Sequence, residues 1–272
     1  MRSRRGAVLI VTLLAVLTLS ACSQVPVTGR WRLMLVSRSE TQQLGAKAWE
    51  DVLSQATVSN DEQMNRILLR VADRIIEHAH VPDAEWDVRL IRSDQVNAFA
   101  LPGGKVAIYT GILPICRDEA GLAAVVGHEV AHVIARHGGE RMSLGVAVQL
   151  ALTGASAATQ EWSPALREAV MAAMGLGANV GVMLPYSRTH ENEADLIGTR
   201  LMAMAGYNPE AAPRVWKHMA EASQGAPPEF LSTHPASENR MKTLEEMLPE
   251  MRELYRKAPE QYGYGVALPS VN

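Results

Sequence analysis

Apolar side chains recur every three or four positions over residues 39–55 and again over residues 60–79. This period predicts two amphipathic helices, because positions three and four apart share a helix face. Ser39 and Asn60 are each followed three positions later by glutamine, the spacing of a capping box. The domain is therefore expected to open with two helices.

The pattern then changes to alternation over residues 86–91, where every second residue is apolar, as in a strand with one buried face. A Pro-Gly-Gly turn at 102–104 joins two further β-rich segments, 97–101 and 105–110, and predicts a hairpin. We expect these segments to form a small antiparallel sheet.

From Asp118 onward the periodicity is almost entirely helical, with further helices near residues 187–205, 209–223 and 236–256. The charge-free stretch at 169–184 is too short and too rich in glycine to span a bilayer, and close helix packing is favoured over membrane contact. The pattern as a whole predicts an α+β fold that is mainly α-helical.

Composition places the chain among ordinary globular proteins. Of its 272 residues 47% are apolar and 20% are charged, and the net charge of −3 gives no indication of nucleic-acid binding. The charge is uneven, since three arginines lie within the first five residues. Without residues 1–21 the net charge becomes −6, so the remaining chain is mildly acidic.

The N-terminus has the features of a bacterial export signal. Its basic tip precedes an apolar run, residues 7–19, that is shorter than a membrane-spanning helix. Leu-Ser-Ala-Cys at 19–22 resembles a lipobox, which implies cleavage before Cys22 and its lipidation, with palmitate among the acyl chains. Conventional signal cleavage and an uncleaved anchor are the alternatives. Ser23 after the cysteine resembles the signal for the outer membrane, and the expected location is its periplasmic face in a Gram-negative host.

These features divide the chain into four segments. We expect a signal peptide at 1–21, a lipidated tether at 22–38, the folded domain at 39–258 and a C-terminal tail at 259–272. With Cys22 lipidated, Cys116 has no disulfide partner and is interpreted as a small buried hydrophobe rather than a reactive thiol.

His128, Glu129 and His132 form an H-E-x-x-H motif inside a helical apolar pattern. Histidines four apart lie about one turn apart on the same face, so both imidazoles can reach one metal ion. The glutamate beside them is placed to act as general base toward a water activated by zinc. The motif predicts one catalytic zinc ion per chain.

A third zinc ligand is expected from another helix. His137 lies about 180° around the helix from His128 and is interpreted as a cation at the helix end. Among the residues at 190–195, the chemistry ranks Glu191 first, His190 second and Glu193 third. Glu191 has Asp195 four residues on, so one carboxylate can ligate while the other orients an imidazole, whereas Glu193 points away and has no such partner.

At this point the sequence resembles the HtpX-like, Oma-type and CAAX-prenyl-protease-type gluzincin zinc metallopeptidases. The resemblance is nearest to periplasmic lipoprotein members such as LoiP and YcaL, and it implies a zincin-like domain with the small sheet beside the H-E-x-x-H helix. The segments that carry it are 97–104, 127–132, 191–198, 206–209 and 233–240, which follow the order of the family.

The resemblance implies that His128, His132 and Glu191 bind zinc, that Glu129 is the base and that Asp195 supports a ligand. It also implies a role for His234, which either stabilises the tetrahedral oxyanion or occupies the fourth zinc position in a resting state. Arg240 is expected to support that site. The strand formed by Asn97, Ala98, Phe99 and Ala100 is expected to bind an extended substrate as an added strand.

The function expected from these features is that of a zinc-dependent endopeptidase. It would be anchored to the cell envelope through lipid on Cys22 and would act there on unfolded or misassembled proteins, in quality control or in outer-membrane protein assembly. The alternative is an assembly factor or chaperone that keeps the zinc site without proteolysis.

Overall fold

The structure is a computed structural model that describes residues 22–153, 186–222, 228–235, 238–263 and 265–270. The predicted signal peptide at 1–21 and the charge-free stretch at 169–184 lie outside the described residues. No helix within the described part of the chain is both long enough and apolar enough to cross a membrane.

Five strands, nine α-helices and one short 3-10 helix, Thr110–Ile112, make up the regular structure of the described parts. The strands are β1 (Cys22–Gln24), β2 (Trp31–Leu33), β3 (Asp87–Ile91), β4 (Ala98–Leu101) and β5 (Lys105–Tyr109). The helices are α1 (Arg38–Gln55), α2 (Glu62–Ile76), α3 (Leu113–Cys116), α4 (Glu119–Ile134), α5 (His137–Thr153), α6 (Arg188–Met204), α7 (Ala211–Ala222), α8 (Glu229–Thr233) and α9 (Glu238–Lys257). The predicted fold class, mainly helical α+β with a small sheet, is confirmed.

The first two helices form as predicted but begin at different caps. Ser37, not Ser39, is the N-cap of α1, where its hydroxyl accepts from the Glu40 amide and the Glu40 carboxylate accepts from the Ser37 amide. Asp61, not Asn60, caps α2 by accepting from the Met64 amide. Several polar residues stand near each helix start, so the local pattern locates the cap only to within one or two positions.

The three-stranded sheet has the order β3-β5-β4. The predicted hairpin pairs β4 with β5 in antiparallel fashion, with Ala100 opposite Val106. The strand β3 pairs with β5 in parallel, so the sheet is mixed. This order leaves β4 as an outer strand, next to the helix that carries the H-E-x-x-H motif.

Both faces of this sheet are covered, which explains why all four residues of β4 are buried. Ala98 and Ala100 point into the main hydrophobic core, formed with α2, α4, α6 and α7. Phe99 and Leu101 point to the other side, where they belong to a second cluster with Trp49 in α1. The alternation of strand side chains therefore divides β4 between two cores.

The helices α4 and α6 cross at two glycines. A Cβ atom added to Gly198 would lie 2.7 Å from the carbonyl carbon of Gly127, and one added to Gly127 would lie 2.8 Å from the Gly198 oxygen. Only residues without a side chain allow this approach. The close crossing brings the polar face of α6 against the histidines of α4.

The ends of the described chain pack back onto the domain. Residues predicted as tether form the antiparallel hairpin of β1 and β2. In the predicted tail, Tyr262 forms a bridge with Tyr207, and Ala267 forms one with Asp118. The proposed division at residues 38 and 258 stays a prediction, but contacts of the body extend beyond both positions.

Candidate metal centre

The two histidines of the motif face each other on α4. Asp118 caps the start of this helix, where its carboxylate accepts a hydrogen bond from the Gly121 amide at 2.8 Å. One turn separates His128 from His132, and their Nε2 atoms lie 3.2 Å apart. Both side chains are almost fully buried. Burial, and then the neighbouring His128, hold the pKa of His132 well below its usual value, so this imidazole stays neutral, as a metal ligand must.

The structure brings Glu191 of α6, rather than His190 or Glu193, to these two histidines. Its Oε1 atom lies 3.5 Å from His132 Nε2, and its Oε2 atom lies 3.5 Å from His128 Nε2. Burial opposes ionisation of this carboxyl group, but His234 and Arg240 outweigh it and lower the pKa well below its usual range. The acid that the chemistry ranks first is thus the one in place, and it is charged.

His234 completes a group of four. It follows α8, where its amide donates to the Phe230 carbonyl at 2.8 Å and its ring stacks on the Phe230 ring. Its Nδ1 atom lies 3.2 Å from His128 Nε2 and 3.0 Å from Glu191 Oε1. Of the two placements that the family resemblance leaves open, the described conformation has His234 at the fourth position.

This donor set fits a zinc ion. One ligand atom from each of the four buried residues lies within 4.8 Å of all the others. Zinc bonds of about 2.0–2.1 Å in tetrahedral geometry place ligand atoms about 3.4 Å apart, and the contacts above range from 3.0 to 3.5 Å. Three imidazoles and one carboxylate are also ligands that zinc commonly takes.

Glu129 lies beside this group without joining it. Its side chain is fully buried, and Oε1 is 3.6 Å from His234 Nε2. Burial raises the pKa of this carboxyl group, while His234 and His128 act in the opposite direction. A carboxylate with a raised pKa next to the metal group is suited to take up a proton and release it again.

Asp195 and Arg240 hold the ligands from behind. The Asp195 carboxylate lies 3.0 Å from His128 Nδ1, which orients the imidazole with Nε2 toward the metal group. Arg240 donates two hydrogen bonds of 2.7 Å to Asp195, and its Nη1 lies 2.6 Å from Glu191. The guanidinium also lies over the Trp216 ring. Arg240 thus contacts two carboxylates of the centre, a placement that suits the supporting role expected of it, and that role stays a prediction.

His137 is not the helix-end cation that the sequence suggests. It is fully buried, and burial lowers its pKa to about 4 even though Glu193 opposes the shift. Its Nδ1 atom lies 2.9 Å from His132 Nδ1, and its Nε2 atom lies 3.1 Å from Glu193 Oε2. The interpretation was wrong because it continued α4 to residue 137, whereas α4 ends at Ile134 and a new helix begins at His137.

The tautomers along this chain of contacts follow from the metal group. Since His132 presents Nε2 to that group, its Nδ1 carries the proton and donates to His137 Nδ1. His137 then carries its proton on Nε2 and donates to Glu193. Glu193, which the chemistry ranks third as a ligand, lies outside the group of four and contacts His137 instead. Its carboxylate supports the candidate ligand His132 through His137, whereas Asp195 contacts the candidate ligand His128 directly.

Arg30, from the segment predicted as a tether, closes the network. Its guanidinium lies 2.9 Å from Glu193 and 2.6 Å from Glu140, and Thr28 donates a further hydrogen bond of 2.6 Å to Glu193. His190 lies on the other side of Glu140, at 3.3 Å. No periodicity or motif links Arg30 to a zinc helix about 100 residues away, so the sequence offers no signal for this contact.

The predicted substrate strand lies beside the centre. Ala100 and Leu101 line a cleft together with His132, whereas the Phe99 ring packs edge-on against Trp49 in the second core. Asn97 accepts a hydrogen bond from the Ala98 amide with its own side chain. Substrate binding by residues 97–100 stays a prediction.

Comparison with known proteins agrees with this geometry. A family model described as peptidase family M48 matches residues 59–248. The chain belongs to peptidase family M48. As a member of that family it is a zinc-dependent metalloendopeptidase, and the four buried side chains described above are its candidate zinc ligands.

Curated relatives extend the likeness. The mitochondrial metalloendopeptidase OMA1 of Schizosaccharomyces pombe is 38% identical over 231 residues, which cover 83% of this chain and 66% of that protein. OMA1 of Saccharomyces cerevisiae is 30% identical over 255 residues, 86% of this chain and 71% of the relative. The beta-barrel assembly-enhancing protease of Escherichia coli is 26% identical over 267 residues, 93% of this chain and 55% of the relative. Across these and further relatives the chain spans from 35% to 71% of their length.

These relatives correct the expected location. OMA1 relatives from yeasts, a plant and vertebrates carry mitochondrial names, which points away from a bacterial outer-membrane lipoprotein. The expected location at the periplasmic face of the outer membrane is therefore wrong. The matches support the family and not the LoiP- and YcaL-like members in particular. Cys22 is exposed at the start of β1, and its lipidation stays a prediction.

Proposed function

We propose that this M48 metalloendopeptidase cleaves unfolded or misassembled proteins in protein quality control. The observation that carries the proposal is the convergence of His128, His132, Glu191 and the base Glu129 beside the outer strand β4. An extended chain can pair its backbone with an outer strand, and folded proteins offer few such segments. The name of the Escherichia coli relative, a beta-barrel assembly-enhancing protease, agrees with a role toward misassembled proteins.

The reaction follows from the placement of the side chains. When bound, zinc supplies a Lewis acid that polarises the peptide carbonyl and lowers the pKa of water. Glu129 takes the proton from the attacking water and delivers it to the leaving amine, which the raised pKa of its carboxyl group favours. Asp195 and Arg240 keep His128 and Glu191 in their ligating orientation.

His234 has to leave the fourth position before water or substrate can enter it. In the described conformation its Nδ1 atom lies within hydrogen-bond distance of both His128 and Glu191. If this contact holds the enzyme in a resting state, His234→Ala increases the rate of proteolysis. If the side chain stabilises the oxyanion once it has moved, the same variant loses activity. Steady-state cleavage of a fluorogenic peptide separates the two roles.

Glu129→Gln tests the proposed function against the non-proteolytic alternative. We expect the variant to retain zinc and its melting temperature but to lose cleavage of unfolded casein. The matched control is Glu253→Gln, which alters an exposed glutamate far along the chain on α9. Full proteolysis by Glu129→Gln contradicts the mechanism. If the wild-type protein cleaves no unfolded substrate faster than Glu129→Gln does, the result favours the non-proteolytic assembly factor.

A further inference from the structure

A cleft opens next to the candidate zinc ligand His132. Its lining includes Ala100 and Leu101 of the outer strand β4, and Tyr186, whose ring stacks on His132. A substrate that pairs with β4 therefore places side chains in this cleft. Apart from His132, the ionisable side chains among the described lining residues are Arg38, Arg136 and Tyr186, and no carboxylate accompanies them.

Arg136 has a hydrogen-bonding atom to offer. Its Nη2 atom is buried and has no hydrogen-bond partner within the described part of the chain. The residue also adopts φ of 50°, in the left-handed region that is costly for a residue with a side chain. A glycine at this helix end would avoid that cost. The turn itself therefore does not require an arginine at position 136, but the side chain of Arg136 lines the cleft.

The charges around Arg136 leave the cluster positive. Burial, together with the positive charges of Arg38 and Arg32, lowers the pKa of Arg136 to about 10. The nearby carboxylates of Glu140 and Glu193 are already paired with Arg30, at 2.6 and 2.9 Å. Among the described residues no carboxylate lies within 4 Å of a nitrogen of Arg32, Arg38 or Arg136. A partly buried guanidinium without a counter-ion favours an anionic ligand.

We propose that Arg38 and Arg136 form a subsite that binds a carboxylate of the polypeptide substrate next to the scissile bond. The inference rests on the proposed proteolytic function and adds a substrate preference to it. A carboxylate can come from an Asp or Glu side chain or from the C-terminus of the substrate. In either case the planar guanidinium groups offer paired donors that match its two oxygens.

The test uses the zinc-loaded enzyme and one quenched fluorogenic peptide. In one series each position around the scissile bond carries Glu or Gln in turn, and in another the C-terminus is a free acid or an amide. We expect kcat/KM to be about tenfold higher for the acid at one position of one series, the difference typical of a hydrogen-bonded charge. The series in which the preference appears identifies the source of the carboxylate.

Variants connect that preference to the cleft. Arg136→Gln and Arg38→Gln should each reduce the acid-to-amide ratio of kcat/KM several-fold, mainly through KM. Arg136→Lys should restore part of it, and Arg136→Glu should favour the peptide with Lys at the same position. Arg66→Gln, which changes an exposed arginine of α2, is the control and should keep the wild-type ratio.

A binding measurement separates failure of the subsite from failure of the proposed function. Fluorescence anisotropy of the labelled peptides on the inactive Glu129→Gln protein reports recognition without cleavage, and we expect the same preference for the acid. Equal kcat/KM and equal binding for acid and amide at every position overturn the subsite while proteolysis stands. Preferential binding without Glu129-dependent cleavage by the wild-type protein overturns the proposed function and retains the subsite. If both arginine-to-glutamine variants keep the preference, the carboxylate binds elsewhere and the assignment is wrong.

Discussion

Replacement of Glu193 by glutamine tests whether the network behind His132 sets the affinity for zinc. The Glu193 carboxylate accepts hydrogen bonds from Thr28, Arg30 and His137. A glutamine keeps the shape but presents an amide donor toward some of these donors. The proton of His137 is then no longer held on Nε2. As a result, Nδ1 of His137 is no longer fixed as the acceptor for His132.

The expected loss of zinc affinity is about tenfold, or about 1.4 kcal/mol. Outer partners of ligating histidines typically contribute 10- to 100-fold to metal affinity. Glu193 lies one residue further out than a direct partner, so the lower end of that range applies. Glu140→Gln is the matched control, because Glu140 shares the Arg30 guanidinium but contacts His190 instead of His137. We expect it to change the zinc Kd by less than about twofold.

The zinc Kd is measured by competition with a chromophoric chelator at pH 7.5, and the stability of each metal-free protein is measured by urea unfolding. Equal losses of zinc affinity in Glu193→Gln and Glu140→Gln would mean that the effect comes from the pairing with Arg30 that both glutamates share. The contact of Glu193 with His137 would then have no effect of its own on zinc affinity. An unchanged Kd in Glu193→Gln refutes the role of His137 in orienting His132. Either result would be compatible with the group of four candidate ligands. It would show that His137 and Glu193 do not contribute to zinc binding.

Four further predictions concern the same fold and centre. Gly198→Ala forces α4 and α6 apart at Gly127 and should destabilise the protein by about 1–3 kcal/mol in urea unfolding. Arg240→Ala removes the guanidinium that pairs with two buried carboxylates, and it should cost about 3–5 kcal/mol and lower the melting temperature by calorimetry. Burial raises the pKa of Glu140, but hydrogen bonds from Arg30 and His190 outweigh it and hold the pKa at about 2. This stabilisation is present above about pH 4.5 and is lost as the pH falls toward 2, so the unfolding free energies of wild-type and Glu140→Gln proteins should converge there. Removal of zinc by a chelator should abolish casein cleavage and lower the melting temperature, and added zinc should restore both.

Local sequence patterns were sufficient to predict the main helices, the hairpin and the part of the metal centre that lies on α4. The 3.6-residue period predicted the main helices, and the Pro-Gly-Gly turn predicted the hairpin of β4 and β5. The spacing of His128, Glu129 and His132 fixes their common face because it lies within one helix. Glu191 could be ranked above His190 and Glu193 because Asp195 lies four residues further on. Roles for His234 and Arg240 came only from the family resemblance.

The network behind the ligands depends on how separate elements meet, and no local pattern encodes that. Extrapolating α4 by helical geometry put His137 on the wrong side, because the chain turns at the left-handed Arg136 and returns toward His132. Arg30 and Glu193 are 163 residues apart, and the hairpin of β1 and β2 brings them into contact. The sequence alone therefore determined the helices, the hairpin and the zinc-binding motif, since each rests on neighbours along the chain. Only the tertiary structure decided which buried charges support that motif, because their positions follow from the close crossing at Gly127 and Gly198.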